Sequence, residues 1–247
     1  MDRLLKEEGL VSVINKSELF FSILFNSSSD FSQDDQKKMI LKLLNKAYEE
    51  MNWDVFSIVI EHTLHFTNIN YVEMFFSNHN AKVYEIMNYF PINLIVNLCS
   101  SGGKIDGLID QAISQMFKNK DADFRISLIR AFLNLKKYND LNKFIDVIVF
   151  FLFDDTTRLS EIQKNKKLKL FRDILTKIRS DDGDILVNVL NSVVSYFPFI
   201  KSDFKIELLE SIPKSLGKES DKSCYFNQIA KINLELERLH KTNLEIS

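Results

Sequence analysis

The sequence has few of the residues that interrupt helices or fasten small folds. Its 247 residues include only 6 Gly and 3 Pro, which leaves few signals for tight turns. The only cysteines, Cys99 and Cys224, show no paired spacing, and a chain long enough for a large core needs no disulfide. A reducing compartment is therefore the expected environment.

Long apolar runs are also missing. The apolar stretch at 147–153 is far shorter than the roughly 18–20 residues that span a bilayer. The start of the chain is charged, with Asp2, Arg3 and Lys6, and has no apolar run of the kind a secretory signal needs. We predict a cytoplasmic protein with no membrane partner, with export by a specialised secretion system as the alternative.

An excess of one charge is absent as well. The chain carries 32 basic and 34 acidic residues, a formal net charge of -2, and its pI is near 6.1. Proteins that bind phosphate backbones usually carry a basic excess, so nucleic acid is the less favoured partner. With 45% hydrophobic residues the composition is that of an ordinary globular protein and argues against disorder.

What the chain does contain is amphipathic helices in pairs. The stretch 122–153 predicts two helices joined by a very tight turn. Lys136 and Lys137 lie where a helix C-terminus favours cations, and Asn139 or Asp140 is predicted to cap the second helix. Apolar residues recur at three- and four-residue steps in the first helix: Phe124, Leu128, Ala131, Phe132 and Leu135. A connection this short forces the two helices to be antiparallel neighbours.

A second helical hairpin is predicted at 33–66, where Asn52 marks the break. Ser32 and Asp35 resemble a capping box, with Asp in place of Glu, that opens the first helix. Further helices are predicted along the chain, including a short one from Lys205 to Ser211 that a polar linker follows from Pro213.

These hairpins predict an all-α fold of stacked antiparallel helical hairpins. Each hairpin would bury its apolar side only by stacking on its neighbours, as in an irregular α-solenoid. The architecture is HEAT- or TPR-like, but no family consensus recurs at a fixed period. Residues 1–220 would form the array, with a possible hinge near 100–104 at Gly102 and Gly103, and 221–247 would be a C-terminal capping or docking helix.

A basic ridge is the most distinctive predicted surface. Between residues 166 and 179, apolar side chains share one side of a helix, and the opposite side is basic with Asp173 as its only acid. The ridge consists of Lys166, Lys169, Arg172, Lys177 and Arg179. Clustered cations predict contact with a protein partner that carries an acidic patch, or with a phosphate backbone, whereas the simpler interpretation is a solvated helix face. No aromatic side chain interleaves with the basic face, which favours the protein partner.

The last helix carries a short heptad seam. Its members alternate at steps of three and four: Ile229, Ile232, Leu236, Leu239 and Asn243. The seam predicts either a homodimer or a docking helix, but it is short for an autonomous coiled coil. Packing on the chain's own hairpins is the favoured interpretation.

No stretch carries a decisive chemical motif. His62 and His65 lie three apart on a predicted helix, with His79 nearby, but no His-Glu-x-x-His pattern or third ligand is evident. The sequence therefore predicts no metal, no cofactor and no catalytic residue.

The expected function is a non-enzymatic protein–protein interaction module, such as an adaptor, a chaperone-like protein or an inhibitor. Two alternatives stay open. One is a nucleic-acid-binding helical-repeat protein that uses the basic ridge. The other is an unrecognised helical enzyme with a site near His62 and His65.

Overall fold

The computed structural model describes most of the chain as helix. It describes residues 21–22, 24–25, 32–66, 71–77, 83–99, 106–154, 160–181, 183–200, 203–216 and 225–246. These residues form thirteen α-helices and one short 3-10 helix, with no strand among them. The prediction of an all-α fold is confirmed. None of the described helices is long and apolar enough to cross a membrane.

The chain divides into two compact units, 1–115 and 116–247. The helices with described bounds in the first unit are α1 (Gln33–Glu49), α2 (Trp53–Phe66), α3 (Tyr71–Ser77), α4 (Val83–Met87) and α5 (Ile92–Cys99). Helix α6 (Asp106–Asn119) contains the division. The predicted hinge at 100–104 lies outside the described residues.

Aromatic side chains fill the core of the first unit. Helix α1 packs on both α2 and α3. The ring of Phe56 on α2 meets the ring of Phe75 on α3 edge to face, with 4.8 Å between their centroids. Both side chains are buried, and Tyr48 of α1 adds an edge contact to Phe75 at 5.6 Å. Such pairs add stabilisation beyond the area they bury.

Local capping places α1 where the sequence predicts it. The Ser32 hydroxyl accepts a hydrogen bond from the Asp35 backbone N–H and donates one to the Asp35 carboxylate. The predicted break after α1 is also present. Met51 adopts a left-handed φ of 51°, and the Asn52 N–H donates to the carbonyl of Ala47 at 2.8 Å, which is a Schellman motif. Asn52 then caps α2 through the Val55 N–H.

The second unit contains the two longest of the described helices, α10 and α13. Its described helices are α7 (Ala122–Asn134), α8 (Tyr138–Asn142), α9 (Ile145–Phe153), α10 (Glu161–Asp181), α11 (Gly183–Ser195), α12 (Asp203–Leu216) and α13 (Phe226–Ile246). The 3-10 turn Phe197–Phe199 follows α11. Two side-chain caps that the sequence analysis did not name start its helices: Asp121 accepts from the Phe124 N–H, and Ser160 and Gln163 form a reciprocal capping box.

The central hairpin differs from its prediction at the second helix. The turn is again a Schellman motif, with Lys136 at a φ of 54° and the Lys137 N–H donating to Phe132. Lys137 itself is the N-cap, without a side-chain hydrogen bond, so the predicted cap by Asn139 or Asp140 is wrong. The second helix is also interrupted before Ile145, where Phe144 is buried against the rings of Phe117 and Phe132.

Another correction concerns Pro213. The predicted linker that begins there is instead the last turn of α12, which continues to Leu216. A proline inside a helix removes one backbone hydrogen bond and crowds the preceding turn. Here Ile212 and Leu216 are both buried, and this tertiary packing outweighs the local cost.

The helices of the second unit stack in register with their neighbours. Helices α7 and α10 run parallel, because Asp123 pairs with Lys166 and Asn134 pairs with Lys177, each 43 residues apart. Helices α8 and α9 run parallel to α11 with a constant offset of 46 residues. Helix α10 also packs on α11 and α12, and α13 packs on α11 and α12.

Candidate functional site

The basic ridge lies on α10, and most of its side chains bind to neighbouring helices. Lys166 forms a 2.7 Å ion pair with Asp123, and the Lys177 ammonium donates to the Asn134 side chain at 2.8 Å. Arg179 donates to the backbone carbonyl of Leu216. Three of the five predicted cations therefore join α10 to α7 and α12.

Among the described residues, only two cations of the ridge extend into solvent without binding a neighbouring helix. Lys169 and Arg172 are exposed, and within the part of the chain that the structure describes neither side chain makes a hydrogen bond or ion pair. Asp173 lies next to them on the same helix and is half-buried. Two cations beside one carboxylate form a weaker positive patch than the five predicted from the sequence.

The same helix carries a buried lysine that was not predicted from the sequence. Lys167 is only 3% exposed, and its ammonium donates to the carbonyls of Phe151 and Asp154, both at 2.7 Å. The ammonium also lies 4.6 Å from the centroid of the Phe151 ring. Lys167 thus satisfies carbonyls at the C-terminus of α9 that no helical N–H can reach. The burial of Lys167 could have been predicted from the sequence, because residue 167 lies one helical turn before Phe171 on the apolar face.

The heptad seam of α13 packs against its own unit. Ile232, Leu236 and Leu239 are buried and Ile229 is half-buried, on a helix that contacts α11 and α12. The side chain of Asn243 lies outside the described residues. This arrangement is that of a docked helix, and a homodimer through the seam stays a prediction.

The histidines take separate environments. The His62 ring stacks on Phe21 with 4.8 Å between centroids, whereas His65 is exposed. His79 lies outside the described residues. Within the described ranges, no group of three His, Cys, Asp or Glu side chains could hold a metal ion.

A small cavity in the first unit lies beside a stacked aromatic pair. Trp53 and Tyr89 stack with 4.7 Å between ring centroids, and Glu49 and Glu85 also line the cavity of about 510 Å³. Because the Trp53 ring stacks on Tyr89, that face of the indole is not available to a ligand.

A larger groove in the second unit is the candidate functional site. It encloses about 1190 Å³, and helices α8, α9 and α11 supply most of its lining, with the 3-10 turn and Lys205 at one end. None of its residues was predicted as a site. They come from segments about 50 residues apart in sequence, which only the parallel register of α9 and α11 brings together.

One end of the groove is polar. The Asn188 amide donates to the Asn142 side chain at 3.1 Å, and the Ser192 hydroxyl donates to an Asp146 carboxylate oxygen at 2.8 Å. Asn191 accepts from Gln228 of α13 at 3.1 Å. Side-chain amides carry both donors and acceptors, so this end of the groove can form hydrogen bonds with donor groups and with acceptor groups of a partner.

The other end is aromatic. The Tyr196 ring lies 6.2 Å from Phe150, 6.3 Å from Phe153 and 6.3 Å from Phe199, centroid to centroid. Phe150 is 53% exposed and Phe199 is 64% exposed. Burial raises the pKa of Tyr196, and the nearby charge of Asp146 raises it further. Exposed phenyl rings at the mouth of a groove are typical of a binding surface.

Comparisons with known proteins give no relative for this chain: a scan against protein-family models, a search of curated proteins and a search of solved structures each find no match.

Proposed function

We propose that the chain is a non-enzymatic protein-interaction module and that its second unit binds a partner protein in the groove between α9 and α11. The supporting observation is the groove itself, which combines amide side chains with exposed Phe150 and Phe199. Aromatic side chains at a concave surface supply contact area at low entropic cost, and they are enriched where proteins bind each other.

The proposed architecture of the second unit is an irregular stack of helical hairpins, the solenoid type that the sequence predicts. Constant offsets of 43 and 46 residues along neighbouring helices support it, because such offsets arise when one hairpin repeats the position of the previous one. Contacts between α10 and α12 and between α11 and α13 continue the pattern. Stacks of this kind present extended surfaces that suit protein partners.

The basic ridge supports a second contact of smaller extent. Lys169 and Arg172 extend into solvent and would meet an acidic patch on a partner. The nucleic-acid alternative depends on the same two cations. Internal pairing of Lys166, Lys177 and Arg179 weakens that alternative, since a phosphate contact would compete with an existing bond.

Affinity capture from a native lysate, with and without nuclease, tests the proposal. The groove variant carries Phe150→Ser and Phe199→Ser, and the ridge variant carries Lys169→Glu and Arg172→Glu. Leu234→Ser is the matched control, because Leu234 is 66% exposed on α13 and does not line the groove.

We expect the parent chain to capture one partner protein in stoichiometric amount, with or without nuclease treatment. The groove variant should lose this partner and the control should retain it. A partner that the groove variant retains would contradict the assignment of the groove. Nucleic acid that the parent recovers and the ridge variant loses would instead establish the second alternative.

A further inference from the structure

We propose that the groove recognises an extended peptide segment through an arginine side chain, whose guanidinium lies beside Asp146 and against the rings of Phe150 and Tyr196. This inference rests on the proposed function, because it names the class of partner that the same groove would take.

Asp146 provides the charged contact. Its side chain is exposed, and one carboxylate oxygen is fixed by the hydrogen bond from Ser192. Within the described chain the second oxygen has no partner, so it can accept from a ligand. A carboxylate held in one orientation suits the forked donors of a guanidinium better than the single ammonium of lysine.

Two aromatic rings lie next to this carboxylate. Phe150 follows Asp146 by four residues, which is one helical turn along α9. Tyr196 is 6.2 Å from Phe150 between ring centroids, and both rings line the same groove as Asp146. A guanidinium at this position would be stabilised by stacking on the rings and by pairing with the carboxylate.

The charge of the groove also favours a cation. Asp146 and Asp154 line it together with one cation, Lys205, whose ammonium donates to the carbonyl of Phe199 at 3.2 Å. The charged lining therefore sums to -1. The charge of Arg125 acts on Asp154, so Asp146 is the carboxylate that would attract a basic peptide.

The spacing of the polar groups fits an extended chain. Asn188 and Ser192 are one helical turn apart on α11, a rise of about 5–6 Å, and each donates to a side chain on the other side of the groove, Asn142 and Asp146. Two residues of an extended peptide span about 6.6 Å. Alternate residues of such a peptide would present backbone N–H and C=O groups to successive polar pairs, which the amides of Asn142 and Asn188 can satisfy.

The test starts from a random heptapeptide library displayed on phage and selected against the intact chain. Parallel selections use Asp146→Asn, which keeps the acceptor for Ser192 but removes the charge, and Asp173→Asn, the matched control on α10 away from the groove. The parent and the control should enrich arginine at one fixed position, and Asp146→Asn should not.

Titration of the selected peptide then measures the coupling. Replacing its arginine by glutamine, or Asp146 by Asn, should each weaken binding about 10- to 100-fold, as expected for the loss of a charge-assisted hydrogen bond. The two changes together should cost little more than either alone, because both remove the same contact.

Three results would overturn the inference: no sequence selected above background, a selected sequence without a fixed arginine, or equal arginine enrichment on Asp146→Asn. The failure of the inference can be distinguished from that of the proposed function. If the captured protein still depends on Phe150 and Phe199 while the peptides show no dependence on Asp146, the groove binds a partner by another chemistry.

Discussion

Replacing Lys167 by methionine should destabilise the second unit far more than a charge change elsewhere on α10. The ammonium of Lys167 makes two 2.7 Å hydrogen bonds to the carbonyls of Phe151 and Asp154, in a side chain that is 3% exposed. Methionine replaces the side chain as far as the Cε atom and keeps its apolar packing, but it has no ammonium. It leaves both carbonyl oxygens without their donor.

The expected magnitude follows from these contacts. Leaving a buried acceptor without its donor costs about 1–3 kcal/mol, so the two carbonyls together cost about 2–6 kcal/mol, and relief of the desolvation of the ammonium offsets part of this cost. The net loss should be about 2–4 kcal/mol in the free energy of unfolding. At about 2–4 °C per kcal/mol for a protein of this size, the Tm should fall by roughly 5–15 °C.

Urea unfolding followed by circular dichroism measures this loss, with Lys169→Met as the matched control. Lys169 lies two residues away on the same helix and is exposed, so its replacement should change stability by about 0.5 kcal/mol or less. Equal stability of Lys167→Met and the parent would refute the reasoning, because it would show that water satisfies the two carbonyls as well as the lysine does.

Three further predictions test local features of the fold. Met51→Gly should raise the free energy of unfolding by roughly 0.5–1 kcal/mol in urea titrations, since Met51 has a φ of 51° that glycine adopts without strain, and Met51→Ala should give no such gain. Asp121→Ala should cost about 1 kcal/mol by removing the cap of α7, whereas Asp121→Ser should cost little. Because the pKa of Tyr196 is raised in the folded state, its contribution to stability is present below pH 10 and is lost above it; the parent should therefore lose more stability than Tyr196→Phe between pH 9 and 11.

The parts of the fold that depend on local signals could be predicted from the sequence. Helix α1 begins after Ser32 because its cap lies within three residues, and the hairpin predicted at 33–66 has its break at Asn52. The prediction failed where distant contacts compete with local ones. Pro213 lies inside α12 because tertiary packing holds the last turn, and the helix predicted after Lys137 is broken where Phe144 enters the core.

The candidate site could not be predicted for the same reason. Periodicity predicts the basic face of α10, but the partners of Lys166 and Lys177, which are Asp123 and Asn134, lie 43 residues earlier in the chain. The groove depends on the registration of α9 with α11, and neither helix alone shows that Asp146 and Tyr196 will lie together. A sequence pattern describes one helix face, whereas a groove requires knowledge of which faces meet.

The parallel register in the second unit also aligns the peptide dipoles of adjacent helices. Neighbouring helices that run in the same direction place their positive N-terminal ends side by side, which is unfavourable unless negative charge lies nearby. Each of the helices α7, α9, α10, α11 and α12 has an acidic residue in its first turn: Asp123, Asp146, Glu161, Asp184 and Asp203. Cohesion between these helices therefore depends on carboxylates at their ends as well as on buried apolar area.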